Sequence, residues 1–316
     1  MIIDVHTHIW TSPDQLGTEI AQKMRTRRSE LTGRIEADPA DLDRVSTCVD
    51  GVLVHGFRSV RLGAHVPNEL VAEFVRKDPQ RRVGICGIDP LSNDALDELK
   101  RGLALGLAGV SISPACQGFH PSHTQAMRIY ERCEELGLPL FINVLEPLTA
   151  SAVLEFARPG HLDEIAQSFP SLVIVIGRLG YPWIDEALVV VSKHANVYAD
   201  IAGLASRPWQ LYGALLGANS MGAMDKLLFG SGFPHDVPAK AIEALYSVNS
   251  YGHGTQLPTV PRSLLKGIVE RDALKCLGIE AEIAPRALED ADEFATPAIV
   301  VEPKRPMSEY SGTGRA

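Results

Sequence analysis

The chain has 316 residues, of which 45% are apolar and 22% charged, and its formal net charge is −9. This length suits one large α/β barrel as well as two ordinary domains. The acidic excess argues against a nucleic-acid partner, because nucleic-acid-binding proteins carry basic surfaces. No apolar run reaches the roughly 18–20 residues that span a bilayer, and the N-terminus lacks a leader pattern. We therefore expect a cytoplasmic protein without a membrane partner.

Short apolar runs recur along the chain, and longer helical patterns lie between them. The nearly continuous hydrophobicity of the runs is typical of strands buried on both faces of a parallel sheet. Eight such strands alternating with helices predict a (β/α)₈ TIM barrel, in the α/β class. The predicted strands are Ile2–Val5, Val52–Val54, Val83–Ile88, Gly109–Ile112, Leu140–Val144, Leu172–Ile176, Val197–Ile201 and Leu227–Phe229. The predicted helices include Asn68–Lys77, Asn93–Leu105 and Gln125–Leu136.

Two segments fall outside this alternation. Residues 10–50 form a polar, partly helical insert after the first strand. Loops after strands cover the site of a barrel, so this insert is a candidate lid. Residues 281–316 are rich in proline and acidic residues, which predicts an extended tail, and its apolar patch Ala298–Val301 could pack on the barrel or on a neighbouring subunit. We expect a barrel over residues 1–280 and a tail over 281–316.

Polar residues gather where the predicted strands end, which is where the chemistry of a barrel lies. The first strand leads into His6-Thr7-His8, and the period-two alternation of a strand places both imidazoles on one face. Such a pair could chelate a zinc-like ion. A hydrogen-bonded pair in a polar pocket is an equally simple interpretation. The polar residues at or just after the other strand ends are His55, Ser111, Ser113, His120, His123, Asn143, Glu146, Arg178, Asp200, Ser231 and His235.

Four motifs in chain order carry a family resemblance. They are Ile2–Trp10 (IIDVHTHIW), Gly177–Trp183 (GRLGYPW), Asn196–Asp200 (NVYAD) and Leu228–His235 (LFGSGFPH). They resemble segments of the amidohydrolase superfamily, specifically its amidohydrolase-2 branch. That branch includes aminocarboxymuconate-semialdehyde decarboxylase, resorcylate-type decarboxylases and lactone hydrolases. The resemblance covers roughly residues 1–280 and implies a barrel with a metal-dependent hydrolase or decarboxylase site.

The resemblance implies a metal centre made of the strand-one histidine pair, a histidine after strand five, a histidine after strand six and an aspartate after strand eight. The last three positions hold Asn143, Arg178 and Gly232. Glycine has no side chain to bind a metal or take a proton. An amide oxygen is a weak zinc ligand, and arginine is always cationic without a lone pair. We therefore predict a dismantled metal centre in which only His6 and His8 remain.

Arg178 could act in either of two ways. Its planar fork could bind a carboxylate or phosphate in place of the metal's charge. It could instead pair with an internal acid such as Glu146, Asp200 or Asp4. The internal pair is the preferred interpretation, because a buried arginine needs a partner even without ligand.

Three possible functions follow. The favoured one is a non-catalytic or repurposed barrel without a cofactor, which binds a small anionic molecule or acts as a structural or regulatory partner of an active paralogue. The alternative is a metal-dependent hydrolase or decarboxylase acting on a small carboxylate, lactone or ester, with zinc or another divalent ion held weakly at His6 and His8. A metal-free reaction that uses Arg178 and a nearby acid is a third. The resemblance also implies a homo-oligomer such as a dimer. The residues expected to line the pocket are Ser111, Glu146, Asp200, His235 and His120.

Overall fold

The computed structural model describes residues 1–27 and 37–285. In chain order the strands are β1 (Ile3–His8), β2 (Gly51–His55), β3 (Phe57–Ser59), β4 (Ala64–Val66), β5 (Arg82–Gly87), β6 (Val110–Ile112), β7 (Leu140–Ile142), β8 (Ile174–Ile176), β9 (Val197–Asp200) and β10 (Leu227–Leu228). The α-helices are α1 (Thr18–Arg27), α2 (Pro39–Val45), α3 (Asn68–Lys77), α4 (Ala95–Ala104), α5 (Pro114–Gln117), α6 (Thr124–Glu135), α7 (Leu162–Ser168), α8 (Ile184–Lys193), α9 (Pro208–Ser220), α10 (Pro238–Ser247), α11 (Arg262–Glu270) and α12 (Ala273–Leu277). Short 3₁₀ helices lie at Pro13–Leu16, Leu154–Ala157, Pro159–His161, Gly177–Gly180, Met224–Lys226 and Val248–Gly252.

Within these ranges, eight parallel strands form one sheet in the order β1-β2-β5-β6-β7-β8-β9-β10. The segment after β10 closes the sheet onto β1. The Val5 N–H donates to the Phe229 carbonyl and the His8 N–H to the Phe233 carbonyl, each at 3.0 Å. Nearly every residue of these strands is buried, as expected when one face meets the barrel interior and the other meets the helices. The predicted (β/α)₈ barrel is confirmed.

Apolar side chains fill the amino-terminal end of the barrel. Leu274 and Leu277 of α12, followed by Ile279, pack in one cluster with Ile3 and Phe141 from the strands. A barrel interior is a packed core in this architecture. Polar side chains therefore collect at the opposite end, where the strands finish.

The predicted helices agree with α3, α4 and α6, whose ends differ from prediction by at most two residues. The first predicted strand is too short, because β1 continues to His8 and both histidines lie inside it. The antiparallel hairpin of β3 and β4 is an addition that the apolar runs did not predict. Gly63 makes its turn with a φ of +62°, a conformation that glycine adopts without strain.

The two segments outside the barrel alternation are covered only in part. The insert after β1 forms α1 and α2, which agrees with its partly helical pattern. The remainder of the insert at 28–36, and residues 286–316 with the patch Ala298–Val301, lie outside the described residues. In the part of the chain that is described, no helix is long and apolar enough to cross a membrane.

Candidate functional site

The two histidines of β1 lie side by side at the barrel mouth. Their Nε2 atoms are 3.3 Å apart, and both side chains are buried. His6 Nδ1 donates to the Asp200 carboxylate at 2.8 Å, and His8 Nδ1 donates to the His55 carbonyl at 3.2 Å. With both Nδ1 atoms protonated, two neutral rings would direct lone pairs at each other. A cation held between the rings, or a His8 ring protonated on Nε2 instead of Nδ1, would relieve this repulsion. The predicted placement on one face is confirmed.

Asp200, the last residue of β9, holds this pair in position. Its Oδ1 accepts the backbone N–H groups of Arg178 and Ala202, both at 2.9 Å, while Oδ2 accepts from His6. Burial raises the pKa of Asp200, but the charge of His6 and these hydrogen bonds outweigh burial and hold the pKa below its usual value. The carboxylate is therefore ionised and fixes both the tautomer and the orientation of His6.

Asn143 follows β7, at the position where the resemblance implies a histidine. Its Nδ2 donates to Ser111 Oγ at 2.9 Å and lies 3.4 Å from His55 Nδ1. Burial lowers the pKa of His55 to about 3, and its Nε2 donates to the Val5 carbonyl at 2.8 Å, so His55 Nδ1 is an acceptor. The amide orientation is thereby fixed. It leaves Asn143 Oδ1 buried without a partner among residues 1–27 and 37–285.

Arg178 follows β8 in a strained turn. Arg178 and Leu179 have φ values of 55° and 48°, a region that side-chain-bearing residues rarely adopt. The Arg178 side chain is only 4% exposed, and its Nη1 lies 3.3 Å from Glu146 Oε2. Its Nε is buried with no partner in the described part of the chain. Gly203 makes room for the guanidinium, because a Cβ at that position would lie 2.4 Å from Arg178 Nη1.

Glu146 is shared by two arginines. Arg207 Nη2 donates to its Oε1 at 2.7 Å, and Arg178 contacts its Oε2. Burial raises the pKa of Glu146, but the two guanidinium charges outweigh burial and hold the pKa below its usual value. His235 Nε2 donates to the Glu146 carbonyl at 3.1 Å. The preferred interpretation, that Arg178 pairs with an internal acid, agrees with this contact, and Glu146 is the one of the three candidate acids that the guanidinium contacts. Two guanidiniums thus face the single carboxylate of Glu146.

Gly232 follows β10, at the position where the resemblance implies an aspartate, and its backbone conformation favours glycine. Its φ is +81°, and its N–H donates to the His6 carbonyl at 2.9 Å. A Cβ there would lie 3.1 Å from the Gly203 nitrogen and 3.4 Å from Ala202 Cβ. An aspartate at this position would therefore be strained by its backbone as well as crowded. The departure from the family pattern involves the main chain as well as the missing side chain.

The pocket residues expected from the sequence separate into two groups. Ser111, Glu146, Asp200 and His235 take part in the contacts above. His120 belongs to a different cluster, in which its Nδ1 contacts Ser122 Oγ at 2.9 Å and its ring lies 4.4 Å from that of His161. The contacts of His120 thus give no support to a role at the mouth.

Arg207 was not singled out from the sequence, although it completes the site. It lies in the loop after β9 and directly precedes Pro208, the first residue of α9. Loops after strands supply the side chains of a barrel mouth. Its position shortly after β9, the seventh strand of the barrel, was therefore the signal that could have identified it.

The donor set fits a catalytic metal ion poorly. In the described ranges, no group of three or more His, Cys, Asp or Glu side chains is placed to hold a metal. A catalytic zinc normally takes three protein ligands, and here the β1 pair offers two imidazole nitrogens. Burial and the charges of His6, His55 and Arg178 hold the pKa of His8 well below its usual value. The positive charge of Arg178, which contributes to this shift, would also oppose a metal cation at the pair.

His235 gives the stability of the protein an expected dependence on pH. Burial, followed by the charge of Arg178, lowers its pKa from 6.5 to about 4. Its stabilising contribution is complete above pH 6.5 and is lost as the pH falls toward 4, because the unfolded chain then binds the proton more tightly. Because His235 is partly exposed, we expect less than the full effect of this pKa shift on stability. We expect wild type to lose about 2 kcal/mol more than His235→Gln between pH 7 and pH 4. Urea unfolding measures this difference, and equal losses would contradict it.

A family model and several solved structures match the chain. The Amidohydro_2 model, described as amidohydrolase, matches residues 3–279. No curated protein matches significantly. A probable 2-pyrone-4,6-dicarboxylic acid hydrolase from Acinetobacter baumannii with citric acid bound is 16% identical over 88% of this chain and 99% of its own, with a TM-score of 0.59. An amidohydrolase from Burkholderia multivorans with bound zinc is 12% identical over 88% and 99%, with a TM-score of 0.64. A dihydroxybenzoic acid decarboxylase from Polaromonas sp. JS666, with manganese and the inhibitor 2-nitroresorcinol, is 16% identical over 88% and 96%, with a TM-score of 0.59. These likenesses show a shared fold.

Proposed function

The chain belongs to the amidohydrolase family, and we propose that within this family it has exchanged the metal-centred reaction for binding a small carboxylate at Arg178 and Arg207. The observation that carries this proposal is the buried Arg178 guanidinium, whose Nε lacks a partner among the described residues. A buried donor left without a partner costs about 1–3 kcal/mol, and more when it is charged. A ligand carboxylate would remove that cost.

The charge balance of the site and the chemistry of similar proteins support a carboxylate ligand. Two guanidiniums share the single carboxylate of Glu146, an arrangement that favours a further anion beside them. Arginine forks match planar carboxylates through two parallel hydrogen bonds. Two of the similar structures are named for carboxylic acids, namely 2-pyrone-4,6-dicarboxylic acid and dihydroxybenzoic acid.

A second candidate is a metal-dependent hydrolase or decarboxylase with zinc or another divalent ion at His6 and His8. The 3.3 Å between their Nε2 atoms favours it, because two ligands of a tetrahedral zinc with bonds of 2.0–2.1 Å are separated by about that distance. The Asp200 carboxylate orients His6 as carboxylates commonly orient zinc-bound histidines. Zinc and manganese are bound in two of the similar structures. The missing ligands and the charge of Arg178 oppose this candidate.

Calorimetric titration with benzoate and citrate tests the first candidate. We expect Arg178→Met to weaken binding by about 10–100-fold, the value of charge-assisted hydrogen bonds to one guanidinium. Arg132→Met is the matched control, because Arg132 pairs with Glu135 on the exposed face of α6, and its binding should equal that of wild type. Absence of binding to wild type, or equal binding by Arg178→Met, would refute the proposed carboxylate site.

Zinc analysis of the same preparations tests the second candidate. Protein stripped with a chelator is incubated with excess zinc and then desalted. One zinc per chain in wild type, lost in His6→Ala, would establish the metal site in place of the carboxylate site if titration also shows no carboxylate binding. Zinc at background level in both proteins would reject the metal-dependent candidate.

A further inference from the structure

Glu146 already bridges the two arginines as a ligand carboxylate would. One oxygen accepts from Arg207 Nη2 at 2.7 Å, and the other lies 3.3 Å from Arg178 Nη1. The exposed fraction of the side chain rises from 4% at Arg178 to 20% at Glu146 and 26% at Arg207. The innermost cation is therefore closed off from solvent by its own neighbours. A ligand carboxylate can contact the Arg178 guanidinium only if the Glu146 carboxylate moves away from it.

The hydrogen bond between Glu146 and Arg178 is longer, and uses fewer guanidinium donors, than a bidentate carboxylate contact would. At 3.3 Å it is longer than the 2.7–2.9 Å usual for charged N–H···O hydrogen bonds, and it engages Nη1 while the Arg178 Nε stays without a partner in the described ranges. Glu146 hydrogen-bonds Arg207 more closely than it does Arg178. A free carboxylate, which has no chain tether, could engage Arg178 through both Nε and an Nη. The internal carboxylate is thus the poorer partner for this guanidinium.

Hydrogen bonds hold the backbone of the Glu146 loop from both sides. Displacement of the Glu146 carboxylate by a ligand would therefore involve rotation of its side chain and no movement of the loop. His235 Nε2 donates to the Glu146 carbonyl at 3.1 Å. Lys23 Nζ of α1 donates to the Leu148 carbonyl at 2.6 Å, and the Ser151 hydroxyl donates to Glu19 of the same helix. The carboxylate itself is partly exposed and can turn toward water while the loop stays in place.

We propose that Glu146 is an internal occupant of the anion site, and that a ligand carboxylate binds by displacing it from Arg178. This inference rests on the proposed function and adds how the site is regulated. Wild-type affinity is then reduced by the fraction of time the site is free of Glu146. The occupied form also gives the buried Arg178 guanidinium a carboxylate partner when no ligand is present, which avoids the cost of an isolated buried charge.

Titration of wild type, Glu146→Gln, Glu146→Ala and Glu155→Gln with benzoate and citrate tests this inference. If Glu146 occupies the site about 90% of the time, removing its charge should tighten binding about tenfold. The Glu146→Ala variant removes the occupant entirely and should bind at least as tightly as Glu146→Gln. Glu155 lies in the same loop region with a 61% exposed side chain, so Glu155→Gln makes the same change in net charge without touching the arginines. Its affinity should stay within about twofold of wild type, since exposed charges are largely screened. Thermal unfolding of each variant establishes that it is folded.

The outcomes separate the two proposals. Tighter binding by both Glu146 variants, with Glu155→Gln unchanged, supports displacement. Equal affinity in wild type and the Glu146 variants, or weaker binding by folded Glu146 variants, overturns displacement but leaves the carboxylate site intact. An equal gain in Glu155→Gln shows that net charge alone is responsible and also overturns displacement. If no variant binds either probe, the proposed function itself fails and displacement fails with it.

Discussion

Replacing Asp200 by alanine is expected to lower the free energy of unfolding by about 3–5 kcal/mol, the usual cost of removing one partner from a buried charged pair. The carboxylate is fully buried and accepts from His6 Nδ1 and from the backbone N–H groups of Arg178 and Ala202. Alanine would leave all three donors without an acceptor and open a cavity. Urea unfolding at pH 7 measures the effect.

Asparagine at the same position is the matched comparison. Its Oδ1 can still accept both backbone N–H groups, and its Nδ2 can donate to His6 Nδ1 if that ring moves its proton to Nε2. His6 would then donate from Nε2 to His8, whose Nε2 lies 3.3 Å away. We expect Asp200→Asn to cost only about 1 kcal/mol. The exposed pair of Asp97 with Lys100 offers a second control, because Asp97→Asn should change stability by less than about 1 kcal/mol. Equal losses in the alanine and asparagine variants of Asp200 would contradict this account of the network.

The barrel could be predicted from the sequence because each of its strands is buried on both faces. Burial of that kind produces continuous apolar runs such as Leu172–Ile176, which contains β8. The hairpin of β3 and β4 could not be predicted in this way. It is only three residues per strand, and Arg58 and His65 face each other in its register, so its hydrophobic pattern is interrupted.

The side chains at the barrel mouth could be predicted where a family motif fixes their position in the sequence, and less well elsewhere. His6, Arg178 and Gly232 lie within those motifs, and Asn143 lies near the end of the predicted strand Leu140–Val144. The preference of Arg178 for Glu146 over Asp200 depends on the turn at positive φ, which directs the backbone N–H to Asp200 and leaves the guanidinium for Glu146. This turn could not be predicted from the sequence, because Arg178 and Leu179 are residue types that rarely adopt positive φ. Gly203, by contrast, is explained by the space that the guanidinium requires together with its own φ of +70°.

Introducing the ligand residues that the family resemblance implies is expected to create a metal site. The triple variant Asn143→His/Arg178→His/Gly232→Asp adds two imidazoles and a carboxylate to His6 and His8, and it removes the cation that opposes a metal. Loss of a single group that only orients a metal ligand already costs 10–100-fold in affinity, so we expect zinc to bind at least about 100-fold more tightly than in wild type. Competition with a chelating dye measures the dissociation constants.

The backbone at Gly232 sets the limit of this gain. Its φ of +81° costs an aspartate about 1–3 kcal/mol. The double variant Asn143→His/Arg178→His avoids that strain and should bind zinc with an affinity between those of wild type and the triple variant. His6→Ala in the triple background removes one of the original ligands and should lose most of the gain. If wild type already binds zinc as tightly as the triple variant, the substitutions at Asn143, Arg178 and Gly232 did not dismantle the centre. That result would favour the metal-dependent candidate, because Arg178 would be shown to tolerate a divalent ion beside it, and absence of carboxylate binding would then complete the replacement.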